Sequence, residues 1–315
     1  MKTQGRPKSS PKAKDPWGTR KYVTFFAIVV IASFSITWLW LSSPSQEAYS
    51  VQNGVLSYSG RPQIEYGQEV WNESDDVIIY RVWFPSHGGA TVYGLLAVPK
   101  LEGPLPAFFI LPGATVTKEG EQGTLGNALN ELGYVTLSLD QRSHGETLES
   151  GGRLLSFEED YLRYTQGGEA THHMAVYDAL RAFDLLYQLP GIDRSRIYAA
   201  GESMGGNYAM VAAGIEPRIE GLLLVSSSGF RFFPQSDPGF AGYLSSVSGL
   251  TYISKLSPRP LLMLHNETDS VVSLEDAMET FELAGEPKEF LITDKGGHSY
   301  DPGMRDILEQ GLEGW

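Results

Sequence analysis

The stretch Arg196–Glu216, RIYAAGESMGGNYAMVAAGIE, decides how the rest of the chain is read. Ile197 to Ala200 is a short apolar run that reads as a buried strand. Asn207 to Ile215 carries small and apolar residues at helical spacing. Between them lies Gly201-Glu202-Ser203-Met204-Gly205-Gly206. A serine on so tight a strand-to-helix turn holds a strained backbone, and the glycines beside it let strand and helix approach without Cβ clashes. Such a turn lifts the Ser203 hydroxyl clear of the sheet. It also aims a helix N-terminus, with its free N–H groups and positive dipole end, at the space where an oxyanion would form. Ser203 is therefore the candidate nucleophile. The competing reading is a glycine-rich turn with a passive serine.

Strands and helices alternate on both sides of this unit. Val77–Phe84 and Thr91–Val98 read as strands joined by a Gly88-Gly89 turn, an antiparallel hairpin at a sheet edge. Ala107–Leu111 reads as a buried strand running into Pro112-Gly113-Ala114-Thr115. Leu125–Leu132 is helical, and Tyr134–Leu139 is a strand running into Asp140-Gln141-Arg142-Ser143-His144-Gly145. His172–Leu189 reads as a long helix with Ala175, Ala179, Ala182 and Leu186 on one face. Ile219–Val225, Leu261–His265 and Glu289–Thr293 are further strands; Ser273–Leu283 and Asp306–Leu312 are helices. This alternation means an α/β protein with a mostly parallel sheet covered on both faces.

A serine hydroxyl needs a base, and the base needs an orienting acid. Sites in open parallel sheets lie beyond the carboxyl ends of the strands. His298 follows the last strand in Asp294-Lys295-Gly296-Gly297-His298-Ser299, and Asp269 follows the strand that ends at His265. His298 is the candidate base and Asp269 the candidate acid, with Glu267 and Asp294 as substitute acids and His144 as an alternative base. The adjacent pair His172-His173 lacks the convergent geometry of a metal site.

The order Ser203, Asp269, His298 resembles the α/β-hydrolase superfamily from about Val77 to the chain end. Tyr177-Asp178-Ala179-Leu180-Arg181-Ala182, then Leu189-Pro190-Gly191-Ile192-Asp193-Arg194-Ser195-Arg196-Ile197, then the Ser203 turn are similar to the acetyl-esterase, dienelactone-hydrolase and prolyl-oligopeptidase-like branch. The resemblance implies an α/β-hydrolase fold: an eight-stranded, mostly parallel sheet with a short cap. It implies Ser203, Asp269 and His298 as a catalytic triad, and an oxyanion hole from the backbone N–H groups of Met204 and Ala114. Where that family usually has His-Gly before the second donor, this chain has Pro112-Gly113. Asp140-x-Arg142-x-His144-Gly145 matches the family's D-x-R-G-x-G with Ser143 in place of the first glycine; in relatives that segment mainly orders the loop beside the site. Arg142 is expected to pair with a nearby acid.

The chain has 315 residues, no cysteine and a formal net charge of −14. Without cysteine there is no disulfide, thiolate catalysis or cysteine–metal site. Residues 1–21 are a polar, basic tail. Tyr22–Leu41 is twenty residues without a charge, the length of a bilayer's hydrocarbon core, with Trp38 and Trp40 where an interfacial belt would sit. The positive cluster before it predicts a single-pass signal-anchor with the N-terminus cytoplasmic and the catalytic domain outside the cell membrane. The competing readings are a cleaved signal peptide and a buried globular helix. Beyond residue 42 the chain holds 17 basic and 37 acidic residues, a net −20 that disfavours nucleic acid as partner. Residues 42–68 read as a linker and 69–315 as the hydrolase domain. Asn72-Glu73-Ser74 and Asn266-Glu267-Thr268 are glycosylation sequons. The aromatic segment Gly229–Pro234 with Phe240 and Tyr243 lies where the fold accepts a cap, lining an acyl pocket or packing as an ordinary loop. Gly151–Gly168 reads as a second loop bordering the pocket.

These readings lead to a serine hydrolase that cleaves small-molecule carboxylic esters, with no metal or organic cofactor. The alternatives are a serine peptidase of prolyl-oligopeptidase-like type, and a non-catalytic surface binding protein on the same scaffold.

Overall fold

A computed structural model of the chain describes residues 48–315. The expected membrane span, 22–41, lies outside the described residues. Among the described residues no helix is long and apolar enough to cross a membrane.

The central sheet has nine strands in the order β11-β10-β9-β8-β6-β7-β5-β4-β3. Its parallel part comprises β6 (Leu105–Leu111), β7 (Val135–Leu139), β8 (Ile192–Glu202), β9 (Leu222–Val225), β10 (Leu261–Asn266) and β11 (Lys288–Thr293). The antiparallel part is β3 (Gly67–Glu73), β4 (Val77–Pro85) and β5 (Thr91–Pro99), joined to the rest through β5 and β7. Eight strands were expected, and the ninth is β3. Its residues are almost all exposed, so it buries no face that a sequence pattern would reveal; it exists because it pairs with β4. A register shift between Val70 and Asn72 bulges this edge at Trp71.

Alternation along the parallel strands sorts side chains into two layers. Ala107, Phe109, Leu111, Ala199, Leu222, Leu224 and Met263 face one way. They meet α5 (Thr171–Gln188), α6 (Met204–Ile215) and Ala277 of α8 (Leu274–Leu283). Phe108, Ile110, Ala200, Leu223, Val225, Leu262 and Leu264 face the other way. They meet Leu125, Leu129 of α2 (Asn127–Glu131) and Leu308 of α9 (Arg305–Gly311). A short α1 (Lys118–Glu121) leads into α2 through a π turn, and a short α3 (Gly145–Glu149) follows β7. Burying both faces of the inner strands is what makes their sequences continuous apolar runs.

The expected linker 42–68 is corrected by the structure. The compact unit begins at Ala48. Strands β1 (Ala48–Gln52) and β2 (Val55–Ser59) form an antiparallel hairpin that puts Leu56 and Tyr58 into the main core, and Ile64 follows them there. Two large side chains at an i, i+2 spacing suffice to anchor so short a strand once α5 supplies the surface. The expected loop 151–168 is also corrected. It contains helix α4 (Phe157–Thr165), opened by a capping box in which the Ser156 hydroxyl accepts from Glu159 N and Glu159 reaches back. Helix α4 packs with α7 (Pro238–Val247) around Ala170, Tyr243, Leu244 and Val247, a small core outside the main one. Asp160 of α4 is buried and accepts from Thr171 N, His172 N and the Tyr243 hydroxyl at 2.6, 2.9 and 2.9 Å.

Candidate active site

Ser203 sits between β8 and α6 with φ 48° and ψ −119°. A side chain at φ > 0 is strained unless its surroundings impose the turn. Here they do. Ser203 N donates to Val225 O at 3.1 Å, and the Ser227 hydroxyl donates to Ser203 O at 2.7 Å, so the end of β9 holds the elbow from beneath. A Cβ at Gly205 would overlap the carbonyl of Leu111, and one at Gly206 would overlap the Ser227 hydroxyl. Only glycine lets α6 start this close to β6 and β9. The first-turn N–H groups of α6 have no intrahelical acceptor, apart from Gly206 N, which reaches Ser203 O at 3.1 Å.

Across the carboxyl edge of the sheet, His298 and Asp269 meet. His298 Nδ1 lies 2.9 and 3.1 Å from the two Asp269 carboxylate oxygens. A carboxylate only accepts, so Nδ1 carries the proton and Nε2 holds the lone pair. The Asp269 side chain is fully buried, and that of His298 is 23% exposed. Burial would push the Asp269 carboxyl up, but hydrogen bonds from His298, Val271 N and Val272 N outweigh it and hold it below its ordinary value. The two backbone bonds are 2.8 and 3.0 Å long. Glu267 and Asp294 are exposed and make no contact of this kind with His298.

Two further side chains pin the histidine loop, and neither was singled out from the sequence for this role. Asn266 Nδ2 donates to Lys295 O at 2.7 Å and Gly296 O at 3.3 Å. Glu202 Oε1 accepts from Tyr300 N at 3.0 Å. His298 is thus bracketed on both sides, and its downstream anchor is the residue next to Ser203. Glu202 is 2% exposed, and its charge acts on Glu121, which is 0% exposed and whose carboxyl oxygens find no hydrogen-bond partner among the described residues. Burial raises both carboxyls, and Glu202 raises Glu121 further; Tyr300 N, Ser299 and His298 partly offset the rise at Glu202. A signal for Glu202 was present in the sequence, since a carboxylate inside a buried G-x-S-x-G turn requires a partner.

The segment after β6 borders the serine: a Cβ built on Gly113 would lie 3.4 Å from Ser203 Cβ. Ala114 follows, then Thr115 with φ 69°. His144, the alternative base, is occupied elsewhere. Its Nδ1 contacts Arg142 O at 3.0 Å and its Nε2 accepts from Thr115 N at 2.7 Å. Arg142 pairs with Asp178, Nε to Oδ2 at 2.8 Å, with both side chains buried. His172 and His173 lie in α5. His172 contacts the Tyr208 hydroxyl at 2.6 Å, and His173 contacts the hydroxyls of Tyr49 and Ser246 at 2.7 Å each. They tie hairpin and cap to the body. In the cap segment Phe230 packs on Phe157 and Tyr208, and a cavity of about 450 Å³ is lined by Phe230, Phe232, Phe233, Leu244 and Leu250.

Of the sequons, Asn72 is exposed on β3. Asn266 is 0% exposed, and its amide is engaged on the histidine loop.

With the geometry in place, comparison with known proteins names the family. The acetyl xylan esterase (AXE1) family model matches residues 62–227. The chain belongs to this family. The AXE1 match includes Ser203 and ends before Asp269 and His298. Among curated relatives, 2,6-dihydropseudooxynicotine hydrolase of Paenarthrobacter nicotinovorans is 32% identical over 122 residues, 39% of this chain and 28% of that protein. Acetyl esterase Axe7A of Xylanibacter ruminicola is 30% identical over 135 residues, 41% of this chain and 31% of that protein. The chain spans less than half the length of these curated relatives. The solved acetyl xylan esterase from Paenibacillus sp. R4 superposes with a TM-score of 0.64 at 19% identity, covering 81% of this chain and 90% of that one. At that identity the likeness speaks for the fold, which is that of an α/β hydrolase.

Proposed function

We propose that this AXE1-family protein is a serine hydrolase of carboxylic esters, with short acyl esters such as acetates as its substrate class. The observation that carries the reading is the Asp269–His298 pair at 2.9 Å on a loop whose downstream end is tethered by the residue preceding Ser203. In this reading His298 Nε2 takes the Ser203 proton as Oγ attacks the ester carbonyl. The oxyanion is received by the N–H groups of Met204 and Ala114. His298 then protonates the leaving alcohol, and water, with His298 again as base, hydrolyses the acyl-enzyme. Asp269 keeps Nδ1 protonated and stabilises the imidazolium. No step calls for a metal or organic cofactor. The family and its relatives named as esterases support the ester class. The apolar run 22–41 supports a single-pass anchor with the domain outside the cell.

The test treats the purified full chain and its Ser203→Ala variant with a fluorophosphonate probe, then assays p-nitrophenyl esters of rising acyl length against aminoacyl-anilides. Labelling of the wild type alone, with turnover of the acetate, is expected. Anilide turnover without ester turnover would transfer the protein to the peptidases. A folded wild type that neither labels nor turns over would leave only a binding protein. Protease added to intact cells should remove the domain while sparing residues 1–21; a protected domain rules out the orientation.

A further inference from the structure

We propose that His144 is a positioning residue for the oxyanion hole: by accepting the Thr115 N–H it fixes the direction in which the neighbouring Ala114 N–H points. The inference rests on Ser203 being the nucleophile.

The segment leaving β6 is held by the segment leaving β7 at three points. Gln141 Nε2 donates to Pro112 O, His144 Nε2 accepts from Thr115 N at 2.7 Å, and Asp140 Oδ1 accepts from Lys118 N at 2.9 Å. Gly113 and Ala114 lie between the first two points. Gly113 backs the Ser203 side chain, so Ala114 is the residue at which a small rotation of the loop swings an N–H toward or away from Ser203 Oγ. Thr115 has φ 69°, a left-handed backbone that a threonine does not hold unaided. Within the loop only a turn bond, Val116 N to Gly113 O at 3.2 Å, supports it. The bond to His144 is the external restraint.

The tautomer follows from the partners. Arg142 O can only accept, so the contact at Nδ1, 3.0 Å long, requires Nδ1–H, and that leaves a lone pair on Nε2 for Thr115 N–H. Arg142 is itself fixed by the buried Asp178 carboxylate through bonds of 2.8 and 3.0 Å. The serine that departs from the glycine pattern contributes too: Ser143 N donates to Gly152 O at 2.7 Å and its hydroxyl accepts from Leu154 N at 2.8 Å, holding the His144 backbone from the other side. A continuous set of bonds therefore runs from Asp178 through Arg142 and His144 to Thr115. A donor placed in advance of the reaction lowers the barrier most, and a misplacement of about 1 Å costs up to ~100-fold.

The experiment compares the full-length wild type with His144→Leu and His144→Gln. It measures kcat and KM on p-nitrophenyl acetate, inhibition by a trifluoromethyl ketone that forms a tetrahedral adduct, and the melting temperature. For His144→Leu we expect kcat to fall ~10- to 100-fold, ketone affinity to fall by the same factor, KM to stay within about twofold and melting to be unchanged. His144→Gln, whose Oε1 can accept the Thr115 N–H, should recover kcat to within about threefold of wild type. Should the Leu variant not fold, His144→Asn, whose carbonyl falls short of Thr115, replaces it and should show the same loss. The proposal is overturned if the non-accepting variant keeps wild-type kcat, if the loss sits in KM or tracks melting, or if Gln fails to rescue while folded. A wild type that is neither labelled by fluorophosphonate nor active overturns the nucleophile reading and this proposal with it. An active, labelled wild type beside an equally active Leu variant overturns this proposal alone.

Discussion

The two edges of the parallel sheet solve the same backbone problem with different residues. Before β6, β7 and β8 the chain turns through Gly103, Gly133 and Gly191, with φ of 86°, 89° and 83°. After β6, β7, β8, β9 and β11 it turns through Thr115, Ser143, Ser203, Ser226 and Ser299, with φ of 69°, 70°, 48°, 45° and 77°, alongside Gly145 and Gly296 at 44° and 76°. A residue with a Cβ costs roughly 1–2 kcal/mol more than glycine in such a conformation. At the amino edge the fold takes the low-energy choice. At the carboxyl edge it accepts strain repeatedly, at the edge where Ser203, Asp269 and His298 collect.

The largest test of this contrast is Ser203→Gly. It keeps the turn, removes the hydroxyl and relaxes the elbow. We expect turnover of p-nitrophenyl acetate to fall by at least ~10⁴-fold while stability rises by about 1 kcal/mol. Retained turnover would remove Ser203 from the chemistry, and a lower melting temperature would deny that the elbow is strained.

A buried, protonated carboxyl accompanies the strained turns. Glu121 holds its proton in the folded protein well beyond the ordinary carboxyl range because it is buried beside Glu202. The folded state then binds more protons than the unfolded one, so stability is fully present at low pH and falls as pH rises from the unfolded value of 4.5 toward the folded one, by at most ~1.4 kcal/mol per pH unit. Glu121→Gln should flatten that decline in denaturant titrations from pH 5 to 9; an unchanged slope sinks the assignment. His173 has the opposite sign. Burial lowers it from 6.5 to about 4, so its contribution is present above pH 6.5 and lost as pH falls toward 4. Loss of near-ultraviolet circular dichroism in that window should shrink in His173→Gln.

Gly133→Ala probes the other edge. A Cβ there meets only Leu101 at 3.5 Å, an ordinary contact, so the cost is conformational, about 1–2 kcal/mol, with kcat unchanged. A loss of activity at constant melting temperature would break the division between the edges. The smallest effect is expected for Ser226→Gly. Its hydroxyl is buried with no hydrogen-bond partner among the described residues, and its replacement should raise stability by less than about 1 kcal/mol in a urea titration. Destabilisation would show that this hydroxyl has a role.

The mostly parallel sheet and the meeting of Asp269 with His298 were legible in the sequence because both follow from where strands end. Ile197–Ala200 and Leu261–His265 are buried on both faces and read as apolar runs, and the polar residues just past them are the ones brought to the edge. Strand β3 was not legible: Glu69, Asn72 and Glu73 face solvent, and only pairing with β4 makes them a strand. Hairpin β1–β2 was hidden among Ser, Gln and Tyr, its two core residues spaced for a strand too short to stand out. Helix α4 carried a legible start, Ser156-x-x-Glu159, obscured by its charged first turn. Contacts such as Glu202 to Tyr300 join residues that lie far apart in the chain and emerge only when strand ends converge.

Asn266 carries a consequence for production of the protein. Its Asn-Glu-Thr sequon is complete, yet its amide is sealed inside the fold and holds the backbone of Lys295 and Gly296. An oligosaccharyltransferase meets a nascent chain before folding closes such a site. A sugar attached to Nδ2 would take one of the two hydrogens that this amide donates and would occupy space that the folded body fills. In a glycosylating secretory pathway, modification and folding therefore compete for one nitrogen. Molecules modified at Asn72 alone would mature, and those modified at Asn266 would be retained by quality control.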